Sequence, residues 1–381
     1  MATNRKGPFR ADHVGSLPRP DYVLDARDDK AAGRITPAEL RKIEDRAIAD
    51  VAKAQENLGL KSITDGEYRR FLWHLDFLSS FDNVAEKPGR FLLGVDKTED
   101  ISKGFRPNCM ATVGKFTRSK PIQLEDFKYL KAQTSQTAKV CVPSPTLMHF
   151  RGGRDAVDQK TYPTLDLFYK DVAEAYNQEF QDLAKAGCKY IQIDDTNFTY
   201  LCDPKIRNAV KEMGEEPDEL TDTYIKLVND SIKGLPDDVT VNFHMCRGNF
   251  GKLASGSYDH IADKLFNGLN VDGYLLEYDD ERSGGFEPLR MMPRSKRVML
   301  GLLTTKNPTL ESKDALKKRI DEASKFLPLE NLALGAQCGF GTGAIRTARN
   351  DGGPRHFCTW DETQAKLGRI VETAREVWGE I

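Results

Sequence analysis

The stretch VNFHMCRGN at residues 241–249 places two potential metal ligands, His244 and Cys246, two positions apart. They close an apolar run, 239–243, with the composition of a buried strand. Because residues i and i+2 of a strand point to the same face, the imidazole and the thiol are expected to lie side by side. Both groups bind zinc, so the spacing indicates half of a metal site. The alternative is a buried structural histidine beside an apolar cysteine.

Two further ligand types follow later apolar runs. Glu277 ends the run YLLE, and Cys338 follows LALGAQ. Their separations are too long for a zinc finger, but they suit successive strands of a barrel whose ends converge on one point. A histidine, two cysteines and one carboxylate form a soft ligand set that favours zinc over magnesium or calcium.

Helical and strand-like segments alternate along the chain around these residues. Thr36 and Glu39 form a capping box with Pro37 between them, and Gly59 ends the helix that follows. Helical periodicity also predicts helices over 164–186, 218–233, 258–267, 311–326 and 361–378.

Eight strand candidates alternate with these helices, which predicts a parallel sheet covered by helices on its faces. The count favours a (β/α)8 TIM barrel made by a single domain over 1–381, with a doubly wound open sheet as the alternative. Residues 69–135 are weakly periodic and predict an insertion after the second strand. The strand candidates are ADHVGS, KSITDGE, KVCVPSP, YIQIDD, VTVNFHMC, GYLLEY, RVMLGLLT and LALGAQCG.

Two acids also fall near strand ends, at the rim where barrel enzymes carry their chemistry. Glu67 follows the second strand candidate and Asp194 lies at the end of YIQIDD, where both can bind a cationic group. The backbone N–H groups around Gly15 and Ser16 are suited to an anion. Each acid alone is equally compatible with a strand-end cap or a salt bridge.

Six dispersed motifs carry a family resemblance. In chain order they resemble the C-terminal catalytic barrel of cobalamin-independent methionine synthase, most closely its short single-barrel relatives, from about Asp12 to Thr342. The resemblance implies that His244, Cys246, Glu277 and Cys338 bind Zn2+. The motifs are ADHVGSLPRP, ITDGEYRR, YIQIDD, NFHMCRG, YLLEYDD and LALGAQCGFGT.

The same resemblance implies a substrate. Matching positions in the family bind the ammonium and carboxylate groups of homocysteine, which assigns Gly15, Ser16, Glu67 and Asp194 to substrate binding. Two thiolates and a carboxylate leave the site electron-rich, which suits a metal-bound thiolate nucleophile better than a metal hydroxide. The expected reaction is methyl transfer from methyltetrahydrofolate or a methylcorrinoid to the homocysteine thiol.

Two departures from the family bear on the donor. Lys306 stands where the family has a proton-shuttling histidine, and it can serve as a general acid only if its pKa is lowered. QCGFGT also replaces a segment ending in Lys-Thr in folate-dependent members. Alkyl transfer to coenzyme M is the nearest rival function. A zinc-free decarboxylase of the uroporphyrinogen type and a non-catalytic zinc-stabilised binding protein are more distant ones.

Composition excludes other partner classes. The 56 basic and 58 acidic residues give a formal charge of −2, without the basic excess typical of nucleic-acid or membrane-surface binding. The N-terminal residues lack an apolar signal core and no run reaches about 18 apolar residues, so we expect a cytoplasmic protein with no membrane contact. Seven cysteines spread over 381 residues argue against a disulfide framework.

Overall fold

The computed structural model describes residues 7–90, 108–248, 254–341 and 357–381. Ten strands lie in this part of the chain. In chain order they are β1 (Ala11–Asp12), β2 (Ser62–Ile63), β3 (Asp82–Pro88), β4 (Asn108–Thr117), β5 (Thr137–Pro143), β6 (Tyr190–Asp195), β7 (Thr240–Met245), β8 (Gly273–Glu277), β9 (Arg297–Leu303) and β10 (Leu332–Ala336).

Eight of these strands form one parallel sheet in the order β1-β10-β9-β8-β7-β6-β5-β2, which confirms the (β/α)8 barrel. The end strands β1 and β2 have two residues each and form no ladder with one another. Side chains join them instead: Ser62 Oγ donates to Asp12 Oδ1 at 2.6 Å, and Thr64 Oγ1 donates to the carbonyl of Gly15 at 2.7 Å. We refer to this place as the β1–β2 gap.

Helices surround the barrel, and the predicted capping box of Thr36 and Glu39 is present. The predicted helix over 258–267 is wrong as one unit. It is a 3-10 turn, Tyr258–His260, followed by a helix that begins at Ala262, because Ser257 caps the turn and Ile261 leaves helical geometry. The helices are α1 (Asp21–Ala31), α2 (Pro37–Leu58), α3 (Leu75–Leu78), α4 (Leu124–Gln133), α5 (Leu165–Lys185), α6 (Asn197–Tyr200), α7 (Pro204–Glu212), α8 (Pro217–Ser231), α9 (Ala262–Gly268), α10 (Lys313–Ser324) and α11 (Trp360–Trp378).

None of the helices in the described ranges combines the length and the apolar character that crossing a bilayer requires.

The predicted insertion over 69–135 is more ordered than its weak periodicity indicates. It contains the antiparallel pair β3–β4, which packs on α5, although its residues 91–107 lie outside the described ranges. It also contains α4, which packs on α2 and leads into β5 as the crossover helix of the barrel. The periodicity of α4 is weak because it buries only two apolar side chains, Phe127 and Leu130.

A buried ion pair lies inside the barrel below the rim. Lys139 Nζ contacts Asp12 Oδ1 at 2.9 Å and Gln192 Oε1 at 3.1 Å, and Tyr190 donates its hydroxyl to Asp12 Oδ2 at 2.6 Å. Burial alone would raise the pKa of Asp12, but the Lys139 charge and these donors hold it below its usual value. The Asp12 carboxylate is therefore favoured in its charged form despite its burial.

Removing only one of these charges should destabilise the fold. We expect Asp12→Asn to lower the free energy of unfolding by about 3–5 kcal/mol, because the Lys139 ammonium is left buried without an anion. Urea unfolding followed by circular dichroism measures the change. The double variant Asp12→Asn/Lys139→Met is the control, and it should be less destabilised than Asp12→Asn alone. Equal losses in both variants would contradict this account.

Candidate active site

Four potential metal ligands meet at the C-terminal rim of the barrel. His244 lies in β7, Cys246 follows that strand, Glu277 ends β8 and Cys338 follows β10. Their ligand atoms all lie within 4.8 Å of one another, and the two sulfur atoms are 3.4 Å apart. Tetrahedral zinc with bonds of about 2.0–2.3 Å needs ligand atoms roughly 3.3–3.8 Å apart. We call these four residues the metal quartet.

Two atoms of the metal quartet are buried and have no hydrogen-bond partner, His244 Nε2 and Glu277 Oε2. The other ring nitrogen of His244 is 3.1 Å from the carbonyl of Leu275, which fixes the proton on Nδ1 and leaves the Nε2 lone pair for a metal. The backbone N–H of Arg247 donates to Glu277 Oε1 at 2.6 Å and orients that carboxylate. The residues therefore fit a metal ion.

The pKa shifts within the metal quartet also indicate an excess of negative charge that a cation would neutralise. Burial lowers the pKa of His244, but Cys246 and nearby acids raise it to about 9. Burial, with the Cys246 charge, raises the pKa of Glu277 to about 8. The hydrogen bond from Cys338 lowers the pKa of Cys246 well below its ordinary value and raises that of Cys338. In a cluster this anionic, a metal ion would take the place of the protons.

The acids predicted to bind the substrate also come together. Glu67 Oε, Asp194 Oδ and Cys141 Sγ lie within 4.8 Å of one another, all buried. Burial raises the pKa of both acids, that of Asp194 to about 7, with Glu67 adding repulsion. Arg70 offsets part of this charge at 3.3 Å from Glu67. We call Glu67 and Asp194 the acid pair; an ammonium group between them would relieve the cost of their burial.

The predicted anion loop, Gly15–Ser16, lies beside the acid pair. The loop after Cys338 packs against it closely: the N–H of Phe340 donates to the carbonyl of Ser16 at 2.9 Å, and a Cβ on Gly339 would lie 2.0 Å from Ser16 Oγ. The acid pair, the anion loop and the metal quartet thus belong to one continuous rim.

Gly15 is needed for this arrangement. Its φ is +143°, and a Cβ at this position would lie 2.6 Å from Cys141 Sγ. We therefore expect Gly15→Ala to move the loop and to raise the KM for the thiol substrate that the motifs predict at least about tenfold, equivalent to about 1.4 kcal/mol. Steady-state kinetics measures this. Gly368→Ala is the control, because its Cβ would meet only Leu58 at 3.9 Å. An unchanged KM in Gly15→Ala would contradict the assignment.

The structure does not support Lys306 as a general acid. Its Nζ lies 2.8 Å from Asp279 Oδ2 and 2.9 Å from Asp280 Oδ2. Burial lowers the pKa of Lys306, but Asp279, Asp280 and Glu277 raise it above the ordinary value. The acid role requires a lowered pKa, so the geometry points instead to a fixed cation that balances the acids next to Glu277.

Sequence reasoning missed two contributors to the rim. Cys141 received no role from the sequence, yet it lies with the acid pair; the alternation of Lys139 and Cys141 in β5 is the signal that places it inside the barrel. Tyr258 carries no motif, but its hydroxyl accepts from the N–H of Glu277 at 3.2 Å, and Arg247 stacks on its ring at 4.4 Å.

Relatives in sequence cover nearly the whole chain. Proteins YxjG and YxjH of Bacillus subtilis (strain 168) are 40% and 37% identical over 378 residues, which is 98% of this chain and 96% of each of those proteins. The 5-methyltetrahydropteroyltriglutamate–homocysteine methyltransferase of Mycobacterium leprae is 25% identical over 97% of this chain. The aligned region is only 43% of that longer protein.

Solved structures agree with the barrel. A candidate vitamin-B12-independent methionine synthase from Listeria monocytogenes is 35% identical, with a TM-score of 0.76 over 99% of this chain and 100% of that one. A B12-independent methionine synthase from Shewanella sp. W3-18-1, in complex with selenomethionine, shares the fold with a TM-score of 0.72 at 20% identity over 97% of this chain and 98% of that one. The model of the family described as "Cobalamin-independent synthase, Catalytic domain" matches residues 9–352. The chain therefore belongs to the cobalamin-independent synthase family, as the motifs at the barrel rim indicated.

Proposed function

We propose that this protein is a zinc-dependent methyltransferase that methylates the thiol of homocysteine, with a methylfolate or a methylcorrinoid as donor. Membership of the family makes the chain a methionine synthase-like enzyme. The metal, the substrate and the donor are the proposal.

The observation that carries this proposal is the position of the acid pair next to the metal quartet. Asp194 in β6 is the direct register partner of His244 in β7, so an ammonium-binding carboxylate and a metal ligand lie on adjacent strands. The Asp194 carboxylate is oriented by Gln192 Nε2, which donates to Oδ1 at 2.6 Å. A short amino acid held at its ammonium by the acid pair can therefore reach the metal quartet with its side chain.

The residues divide the work of binding. The acid pair takes the ammonium group, and the N–H groups of the Gly15–Ser16 loop take the carboxylate. A zinc ion in the metal quartet would supply thiol activation, keeping the substrate sulfur deprotonated at neutral pH. Glu277 is the hardest of the four side chains and would be the weakest of them as a zinc ligand. The backbone N–H of Arg247 donates to Oε1 of Glu277 and holds that oxygen in place.

Coenzyme M is a poorer fit to the same rim. It carries a sulfonate and no amine, so the buried acid pair would face an anion and gain nothing from its binding. The acid pair thus favours an α-amino acid thiol over coenzyme M.

The proposal is tested by turnover of the zinc-reconstituted protein. Homocysteine is held fixed while methyltetrahydrofolate, its triglutamate form and methylcobalamin are offered as donors, and methionine is measured by mass spectrometry. We expect methionine from at least one donor, and loss of product after zinc is removed by a chelator and restored by its addition.

The thiol specificity is tested in the same assay. Replacing homocysteine with coenzyme M should give at least about 100-fold lower kcat/KM, because the acid pair loses its cation. Methionine from no donor, or a preference for coenzyme M, would refute the proposed function.

A further inference from the structure

Arg151 is a buried cation whose charge no acid of the described residues neutralises by an ion pair. It is 5% exposed, and within the described ranges its one side-chain hydrogen bond joins Nη1 to His74 Nε2 at 2.6 Å. Its Nε is buried without a partner. A buried guanidinium that lacks an anion is energetically costly, so its burial here is what a ligand that supplies the missing charge would offset.

Two neighbours hold Arg151 in place without neutralising it. His74 accepts its hydrogen bond and is therefore neutral; burial, together with the Arg151 charge, lowers the pKa of His74 well below its ordinary value. The guanidinium carbon lies 5.9 Å from the ring centroid of Trp73. The fork of donors is thus fixed in orientation before any ligand binds, which is the preparation expected of an anion-binding residue.

The guanidinium lies at the same rim as the metal quartet. Arg151 belongs to the segment that follows β5, and its charge is felt at the ends of the neighbouring strands. Burial lowers the pKa of Arg151, while Tyr200, Cys109, Asp195 and Cys246 raise it. Asp195 ends β6, and its carbonyl accepts from the N–H of Cys246 at 2.7 Å, so Arg151 and the metal quartet share the end of the barrel at which a methyl donor would approach.

We propose that Arg151 binds an anionic group of the methyl donor, a carboxylate or a phosphate, and so places the donor over the metal quartet. This inference rests on the proposed function, which requires a second substrate at the sulfur side of the rim. The carboxylate of the amino acid substrate already has the Gly15–Ser16 loop. An anionic group of the donor is therefore the remaining partner for the Arg151 guanidinium, which can bind it with two parallel hydrogen bonds.

A binding test that needs no turnover uses inorganic phosphate with the zinc-loaded protein. Phosphate should raise the Tm of the wild type and of Arg154→Gln, and should not raise that of Arg151→Gln. Arg154 is a matched control because it is a nearby arginine that donates to the carbonyl of Tyr162 at 2.7 Å. A phosphate effect that persists in Arg151→Gln would place the ion on the metal or another cation and overturn the proposal, as would no effect in the wild type.

The kinetic test uses the donor that supports turnover. Arg151→Gln should raise the KM of the donor at least about tenfold and leave the KM of homocysteine within about twofold, while Arg151→Lys should lie between because it keeps the charge but loses the planar fork. An unchanged donor KM would overturn the proposal. A rise confined to homocysteine would also overturn it, because Arg151 would then bind the amino acid.

Truncated donors identify which anion is bound. The carboxamide of methyltetrahydropteroate carries no carboxylate, unlike the folate, and methylcobinamide lacks the phosphate of the corrinoid. The wild type should bind the truncated form of the active donor about as weakly as Arg151→Gln binds the full donor. For the truncated donor, the wild type and Arg151→Gln should have the same affinity. Additive losses would contradict the proposal. If no donor is active, the proposed function is refuted. The phosphate test still shows whether Arg151 binds an anion.

Discussion

Cys338→Ser is expected to weaken zinc binding by more than about 100-fold, because even partners in the outer shell of a zinc site contribute 10- to 100-fold to affinity. Cys338 Sγ is 3.4 Å from Cys246 Sγ, and the loop that follows Cys338 is packed on Ser16, so the position is fixed from both sides. A serine hydroxyl is not deprotonated as a thiol is, and it leaves the metal quartet with one sulfur. Zinc content after dialysis against a competing chelator measures the loss, and methyl transfer should fall with it.

The control for this variant is Cys188→Ala. Cys188 is a buried thiol that lies before β6 at the opposite end of the barrel, and it donates to the carbonyl of Tyr190 at 3.4 Å. Its zinc content should match that of the wild type. Full zinc retention in Cys338→Ser would refute the role of Cys338 as a ligand and with it the metal quartet as the zinc site.

Asp194→Asn is expected to lower kcat/KM for homocysteine about 100-fold, since removing one partner of a buried charge pair costs about 2–5 kcal/mol. The carboxylate is buried beside Glu67 with a raised pKa, so an ammonium group is the partner that stabilises its charged form. Asparagine keeps the shape and the contact with Gln192 while it removes the charge. Steady-state kinetics with homocysteine measures the loss.

A substrate without the amine separates binding from misfolding in this variant. With 4-mercaptobutanoate, which is homocysteine without its amino group, Asp194→Asn and the wild type should differ less than about threefold. A large loss with both thiols would mean that the substitution disturbs His244 on the adjacent strand, and the ammonium role would then be wrong.

The barrel and the metal quartet were accessible from sequence because both depend on position within strands. His244 and Cys246 share a strand face, and Glu277 and Cys338 follow strands that a parallel barrel brings to the same rim. Glu67 was found in the same way, although its φ of +59° is set by the turn at Gly66 and not by a strand pattern.

What sequence did not predict depends on contacts between loops. Lys306 was expected to be a general acid, but its protonation depends on Asp279 and Asp280, whose loop has no periodicity to place them. Arg151 gave no signal at all, because its partner His74 comes from the loop after β2 and meets it only in three dimensions. Local pattern determines which face a residue occupies, and it carries no information about pairing between distant loops.

The β1–β2 gap has a consequence for how the substrate and the barrel stabilise each other. The Gly15–Ser16 loop continues from β1 and Glu67 continues from β2, so the two charged ends of one amino acid would bind to opposite sides of the place where the ladder is missing. The bound amino acid would then bridge the two end strands of the sheet, and its release would remove that bridge. Hydrogen–deuterium exchange should slow on binding mainly in the amides of residues 13–17 and 63–67, and much less in β7 and β8, whose ladder is complete without it.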